Sequence, residues 1–286
     1  MSPSGDGTGV LCTLGDLLLD VVVSTRQDHW EHGGDTPSAT RVGAGGQAAN
    51  VASWVVALGG RARVVASLAG DLAGELVAAD LRRRGVELAG PVTAGSTGVV
   101  VSVSEPGGER TMLTDRGVCP RLAAADLRED WFAGCGRLHL PVYSLVGTPI
   151  REAALAAARR VPRVSVDLSS VSALREIGVP EVARLLGLLA PDVIFGNEPE
   201  SALLATAAAG QAGPAGRADP GSGATVIVKL GARGVLVDGR HWPARPARPA
   251  DSTGAGDAFA AGYLLGGVEM GLDAAARAVS QLGAMP

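Results

Sequence analysis

Near the carboxy-terminal end of the chain, "DSTGAGDAF" (Asp251 to Phe259) sets small residues between two aspartates. Gly254, Ala255 and Gly256 carry almost no side chain, and from Ala258 onward the apolar residues Phe259, Ala260, Tyr263 and Leu264 repeat as in a helix. A helix start presents N–H groups without intrahelical partners and the positive end of the helix dipole, and together these bind anions. Small residues there let a phosphate come close. Asp257 is out of place in such a site, because a carboxylate repels the anion. Two readings account for it. It takes a proton from an attacking hydroxyl while the loop holds a transferring phosphoryl group, work typically contributing about 10²–10⁴-fold. Or it caps the helix, as Asp commonly does.

Other stretches carry similar chemistry. "GAGGQAAN" (43–50) places Gly45 and Gly46 ahead of a helix, with Asn50 supplying a donor and an acceptor. It is either a tight turn or a close backbone approach to a polyhydroxyl ligand. "GDLLLD" sets Asp16 and Asp20 about a strand end, where carboxylates accept from sugar hydroxyls or cap a turn. "GNEPE" offers Asn197 and Glu200, a pair that holds magnesium through water or caps the helix that follows. Arg116, in "TDRGVCP", suits an acidic or phosphate-bearing substrate or a grip on hydroxyls; the alternative is a surface ion pair with Asp115 or Glu109. Tyr143 ends another strand, as a ring in the core or beside the substrate, and His139 reads as structural.

These residues need elements to position them. "VLCTLGDLLLDVVVS" reads as strand, turn, strand. "GGQAANVASWVVALGG" reads as a helix with Ala48, Val51, Ala52, Val55 and Val56 on its apolar face. Asp71 caps a second helix, with Leu72, Leu76 and Leu81 expected on one face. Strand–helix alternation with short turns implies right-handed crossovers and a parallel sheet. Residues 20 to 42 and 97 to 114 break the rhythm as strand pieces, the latter a hairpin about Pro-Gly-Gly, and are expected to form a small sheet acting as a lid. The Gly/Pro/Ala stretch 209–223 reads as a surface loop. Ligands of open α/β sheets sit beyond the carboxyl ends of strands, which selects Asp16, Asp20, Asp167, Asn197, Glu200, Gly231 and the 251–257 loop.

In this order, "GDLLLD", "GGQAAN", "AGDLAGELVAADLRRRGV", "STGVVVSV" with "GER", "GNEPE", "VKLGARGV" and "DSTGAGDAFAAGYL" resemble the PfkB/ribokinase family of carbohydrate and nucleoside kinases across nearly the whole chain. The resemblance implies a single α/β domain over residues 1–286, a three-layer parallel sheet flanked by helices, with a small β-sheet lid. It implies ATP and Mg2+, and phosphorylation of a hydroxymethyl group on a ribose-, fructose- or 2-keto-3-deoxy-sugar-like substrate. By the same resemblance Asp257 is the base and Gly254, Ala255 and Gly256 the anion hole, preceded by Asp251 and Thr253. Asp16, Asp20, Gly45, Gly46 and Asn50 match sugar-contacting positions, with Arg116 near them. Asn197 and Glu200 match the element that organises magnesium and phosphates, and Lys229 and Gly231 a nucleotide-side turn. The family often has Thr where Lys229 stands, and Lys adds a phosphate contact. The segment after Phe259 is shorter than the family's usual adenine-flanking stretch. A homodimer through the lid is a further expectation.

Composition bounds the partners. A formal net charge of -4, with no basic stripe, speaks against nucleic acid. Arg82, Arg83 and Arg84 read as a solvated helix end. Hydrophobic residues make up 47% but aromatics only 3%, so the core rests on Ala, Val and Leu. No apolar run reaches membrane-spanning length, and residues 1 to 9 lack the regions of a signal peptide. Cys12, Cys119 and Cys135 are widely spaced, which is no disulfide framework and suits a reducing cytoplasm. The rival readings are a nucleoside kinase of the same fold, a sugar-binding regulator without turnover, and a dinucleotide oxidoreductase, whose fingerprint is missing.

Overall fold

The computed structural model describes residues 9–25, 33–104, 110–210 and 223–286. Along them run β1 (Val10–Leu14), β2 (Leu18–Thr25), β3 (Ser38–Gly45), α1 (Gln47–Ala57), β4 (Ala62–Val65), α2 (Leu72–Arg83), β5 (Glu87–Ala89), β6 (Thr97–Ser104) and β7 (Arg110–Gly117). There follow β8 (Cys135–Pro141), α3 (Ile150–Ala158), β9 (Val164–Asp167), α4 (Val171–Ile177), α5 (Val179–Leu189), β10 (Val193–Asn197) and α6 (Glu198–Gly210). The chain closes with β11 (Thr225–Lys229), β12 (Val235–Val237), β13 (Arg240–Trp242), α7 (Ala255–Gly266) and α8 (Val268–Val279).

The large sheet has the order β13-β12-β11-β10-β9-β8-β1-β4-β5. It is parallel from β11 to β5, and β12 and β13 add an antiparallel edge. Its central strands, such as "VLCTL" and "VSVD", are buried throughout, as strands covered on both faces must be. Helices α3 and α5 supply one core cluster, and α1, α2, α7 and α8 build another. Four of the five residues expected on the apolar face of α1 are fully buried, and Val56 is partly so.

A second sheet, β3-β2-β6-β7, joins two antiparallel pairs through the parallel contact of β2 with β6. Its strands reach beyond the stretches the sequence marks, starting at Leu18 and ending at Gly117. The Pro-Gly-Gly turn, and nearly all of the stretch 209–223, lie outside the described residues.

Helix α2 ties this small sheet to the large one through an aspartate near each end. Asp71 caps the helix by accepting from the Gly74 N–H at 2.9 Å, and also accepts from the N–H and hydroxyl of Thr97 at 2.9 and 2.6 Å. The Thr97 bonds hold its carboxyl below the usual range. Asp80 accepts from the Ala44 N–H at 3.0 Å and pairs with Arg83 and Arg84, the helix-end cations expected there.

Three expectations are corrected. The buried face of α2 is Gly74, Val77, Ala78 and Leu81, whereas Leu72 and Leu76 are exposed. The reason is steric: α2 comes so close to the Ala69 carbonyl and Thr97 that a Cβ at Gly74 would strike both, so the glycine face must turn inward. Helix α7 begins at Ala255 rather than Ala258, which moves Asp257 into its first turn. Cys12 and Cys135, remote in sequence, sit on the paired strands β1 and β8 with Cα atoms 5.9 Å apart and are joined as a disulfide. Among the described residues no helix is long and apolar enough to cross a membrane.

The rotation of α2 is open to test by urea denaturation. Leu81→Ala, at a fully buried position, is expected to cost about 2–5 kcal/mol. Leu76→Ala, at an exposed one, should stay within about 0.5 kcal/mol of the parent. Equal losses would contradict the packing.

Candidate active site

Strands β1, β9, β10 and β11 end on one side of the large sheet, and a cleft of about 1200 Å3 opens there beneath the small sheet. Single-ligand pockets span about 300–1,000 Å3, so a cleft of this size, ≈ 1200 Å3, has room for two molecules. Asp16, Asp20, Gly46, Asn50, Arg116, Asn197, Glu200, Lys229, Gly231 and the run Thr253 to Asp257 all line it. Gly45 and Asp251 do not. Gly45 lies under the Asp20 side chain, where a Cβ would overlap the carboxylate. Gly46, at φ 91, lies against the backbone of Asp16, so the glycine pair brings both aspartates close to α1.

The loop ahead of α7 is held from behind. Asp251 Oδ1 accepts from the Thr253 N–H at 2.8 Å and from its hydroxyl, and Oδ2 accepts from the Gly283 N–H at 2.9 Å. Trp54 Nε1 donates to the Ala284 carbonyl at 2.8 Å. Gly254, left-handed at φ 73, is pressed so close to Ala284 that no Cβ would fit. Gly254 is also the residue that caps α7, and its carbonyl accepts the first helical bond, from Ala258 N–H at 2.8 Å. The capping alternative for Asp257 is therefore not realised.

Asp257 turns instead toward α1. Its Oδ2 accepts from Asn50 Nδ2 at 2.8 Å. Asn50 Oδ1, which is buried, has no partner among the described residues. Burial pushes the Asp257 carboxyl up to about 7; the Asn50 bond opposes this, the Asp167 charge adds to it, and Lys229 and Gln47 work against it. A carboxyl so placed gives up its proton near neutrality, the range a general base needs.

At one end of the cleft Arg116 reaches across from β7 to Asp16. Nε and Nη2 bond the two carboxylate oxygens at 2.7 and 2.8 Å, and Nη2 also donates to the Tyr143 carbonyl at 2.8 Å. The surface pair with Asp115 is not what forms, since Asp115 accepts from the Gly117 N–H while Arg116 holds Asp16; Glu109 lies outside the described residues. Leu18, Val22, Val100 and Met112 of the small sheet supply apolar wall at this end. His139 is buried and held by Ser165 at 3.0 Å; burial brings it down to about 4, so it stays neutral, as a structural residue would.

At the other end Asn197 and Glu200 close a reciprocal cap on α6. Glu200 accepts from the Asn197 N–H and Nδ2 at 2.8 and 2.9 Å, and its own N–H donates to Asn197 Oδ1 at 2.9 Å. This is the capping alternative, and it leaves a buried carboxylate against the cleft. Burial raises its pKa, and the Asn197 bonds and the Lys229 charge work against that rise. Among the described residues no group of three or more His, Cys, Asp or Glu could hold a metal. A magnesium ion fits here only with water and phosphate oxygens completing its shell.

Lys229 Nζ donates to Asp167 Oδ2 at 2.7 Å. The sequence marks both as residues near strand ends, but their pairing across β9, β10 and β11 is not visible as spacing. Gly231, left-handed at φ 61, makes the turn between β11 and β12. One wall went unread: Leu272, Ala275, Ala276 and Val279 of α8 line the cleft with apolar surface. Their three- and four-residue spacing is the signal that could have found them.

A profile of pfkB family carbohydrate kinases matches residues 10–285. The chain is 30% identical over 230 residues to an ATP-dependent ribose-1-phosphate kinase of Halopiger xanaduensis, covering 78% of this chain and 73% of that one. Its fold is similar to the crystal structure of adenosine kinase from Sinorhizobium meliloti, with TM-score 0.78 and 23% identity over 98% of this chain and 96% of that one. It is also similar to ribokinase from Thermotoga maritima, with TM-score 0.77 and 22% identity over 97% and 96%. At these identities the structural likeness speaks for the fold.

The environment of Asp257 predicts its titration. Its carboxyl ¹³C resonance, assigned by its disappearance in Asp257→Asn, is expected to move with a midpoint at about 7. Asn50→Ala removes the opposing hydrogen bond and should shift that midpoint upward. A midpoint in the ordinary carboxylate range would contradict the geometry.

Proposed function

The chain belongs to the pfkB family of carbohydrate kinases, and we propose that it transfers the γ-phosphoryl group of ATP to a hydroxymethyl group of a sugar, with Asp257 as general base. The observation that carries this reading is the Asn50–Asp257 contact. Asn50 gives Nδ2 to the carboxylate, and its buried Oδ1 has no partner among the described residues. An acceptor hydroxyl placed there meets the amide that orients it and the base that deprotonates it. The start of α7 lies beside them; its Ala255 N–H is bonded to the Ser252 carbonyl at 3.3 Å, and the next N–H groups, of Gly256 and Asp257, are left to meet whatever anion the loop receives.

The substrates divide the cleft between them. Asp16, Asp20, Asn50 and Arg116 offer acceptors and donors to a polyhydroxyl ligand, with Gly45 and Gly46 letting α1 approach. Among the described residues Arg116 Nη1 makes no hydrogen bond, which leaves a donor for a hydroxyl or phosphate oxygen of the sugar. The apolar wall of α8 suits the base of ATP, with Lys229, Gly231 and Thr253 on the phosphate side and Asp251 bracing the loop. Glu200, with Asn197, would hold Mg2+ through water, and the metal neutralises phosphate charge when bound. The small sheet acts as a lid that excludes water from the transfer. One domain then carries both sites, and this part of the reading includes a cytoplasmic setting and pairing of two lids in a dimer.

A second reading, a nucleoside kinase of the same fold, is favoured by one feature. Leu18, Val22, Val100 and Met112 present apolar side chains at the sugar end, where a nucleobase would rest. Thermal-shift and ATP-consumption assays over pentoses, pentose phosphates, hexoses, keto-deoxy acids and nucleosides separate the two, since a ligand of the folded state raises its stability.

With the best acceptor from that panel, Asp257→Asn should lower kcat by about 10²–10⁴-fold and leave acceptor binding in place. Below a pH of about 7 the parent's kcat/KM should fall as the carboxyl takes up its proton. Near-normal turnover in the variant would defeat the assignment. Arg116→Met separates the substrates further: a selective loss for phosphate-bearing acceptors assigns the guanidinium to the phosphate, and an equal loss for all acceptors assigns it to the hydroxyls.

A further inference from the structure

Lys229 stands where charge matters most. It ends β11, opposite Asn197 of β10. Its Nζ lies so near the first turn of α7 that a Cβ built on Gly256 would come within 3.3 Å of it. The carboxylates that act on it are Asp167, Glu200 and Asp257. Burial works against its charge, and Asp167 together with Glu200 and Asp257 more than restores it, so the ammonium stays protonated.

Asp167 is built to hold that ammonium. It is fully buried, with Oδ2 on Lys229 Nζ at 2.7 Å. Its Oδ1 accepts from the Ser169 N–H at 2.9 Å. Ser169 is a non-glycine residue in the left-handed region, at φ 58. Its hydroxyl donates to the Asp167 carbonyl at 2.9 Å and accepts from the Val142 N–H at 3.2 Å. Such backbone costs free energy and persists where its surroundings over-determine it, commonly at functional sites. A buried ion pair is weak evidence of stability, because desolvation offsets the attraction. The pair therefore calls for a use other than holding the fold together.

We propose that Lys229 is a further catalytic residue, its ammonium donating to the oxygens of the transferring phosphoryl group beside the Gly256 amide, and that Asp167 is the positioning residue that aims it. This rests on the kinase reading. An ammonium has three N–H donors, and one bond to Asp167 leaves the others for an incoming anion. Until the phosphate arrives, Asp167 spares the lysine the cost of an unpaired buried charge. In the transfer the bond from the γ-phosphorus to the β-bridging oxygen breaks and its electron pair leaves with ADP. The bond from the acceptor oxygen to phosphorus forms, and the acceptor's proton goes to Asp257. Lys229 neither gains nor loses a proton; it answers the charge on the phosphoryl oxygens.

Three variants test this: Lys229→Met, Asp167→Asn and the double variant. Loss of one preorganised donor typically costs about 10²–10³-fold in kcat, and Lys229→Met should fall in that range. Sugar affinity by calorimetry should stay within about twofold, because the ammonium acts on the phosphoryl group and not on the sugar. Calorimetry with ADP and a non-hydrolysable ATP analogue adds a readout free of turnover: the parent's preference for the analogue should shrink in Lys229→Met. If Asp167 acts through Lys229, the double variant is no slower than Lys229→Met; further slowing would overturn the positioning role. Wild-type kcat with an unchanged nucleotide preference in Lys229→Met would overturn the catalytic role. Should Lys229→Met fail to fold, the double variant, which leaves no unpaired charge, decides by the same two readouts. If the parent phosphorylates no acceptor in the panel, the kinase reading fails, while the nucleotide comparison still judges Lys229.

Discussion

The hydrogen bond from Asn50 to Asp257 joins the first turns of two helices that enter the cleft from separate parts of the chain. It forms only if α1 and α7 approach closely, and both helices bring small, fully buried residues, Ala49 and Ala52 from one and Ala258 and Ala261 from the other, to the same core cluster. A larger residue at this seam would push the helices apart and take the amide out of reach of the carboxylate. The scarcity of aromatic residues thus has a local consequence: a core of small aliphatic side chains permits the helix spacing the site requires. Close packing makes such spacing sensitive to a single methylene.

The loop ahead of α7 is fixed by Asp251 and Trp54, which do not line the cleft, and by its packing on the carboxy-terminal tail. Asp251 draws Thr253 and Gly283 together, Trp54 holds the Ala284 carbonyl, and Gly254 closes onto Ala284. Arg41 and Arg84 bind the carbonyls of Leu282 and Pro286 and fasten the same tail to β3 and α2. Helix α2 in turn grips the small sheet through Asp71 and Asp80. The tail is therefore a strut shared by the loop ahead of α7 and the base of the small sheet. Donors fixed in this way need little reorganisation when charge develops near them, which is the physical content of preorganisation.

What was legible in the sequence follows from the range of the interactions. Glycine-rich turns, the helix capped by Asp71 and the strand-ending polar residues are local signals, and the structure realises them. The face of α2 was misread because Leu72 and Leu76 match the helical period as well as Val77 and Leu81 do. What decides between them is the contact of Gly74 with Ala69 and Thr97, which periodicity does not contain. The same limit hid the disulfide between β1 and β8, the Asp16–Arg116 pair and the Asp167–Lys229 pair, each joining segments far apart in sequence that only the tertiary fold brings together. The residue types at the site were readable, but which of them neutralise one another was not.

That pattern of neutralisation is what the proposed function requires, since it asks one cleft to hold an anion, a base and a polyhydroxyl ligand together. Asp16 is answered by Arg116 at one end and Asp167 by Lys229 at the other. Asp257 stands between them, with an amide as the hydrogen-bond partner nearest to it rather than a cation. Had Asp257 taken the lysine for itself, its carboxyl would have been held ionised at low pH and made a poor proton acceptor. Because Asp167 occupies the lysine, burial governs Asp257 and leaves it near 7. The buried Asp167, which does not itself line the cleft, thus acts on two groups that do, keeping Lys229 cationic and leaving Asp257, on the proposed reading, ready to accept a proton.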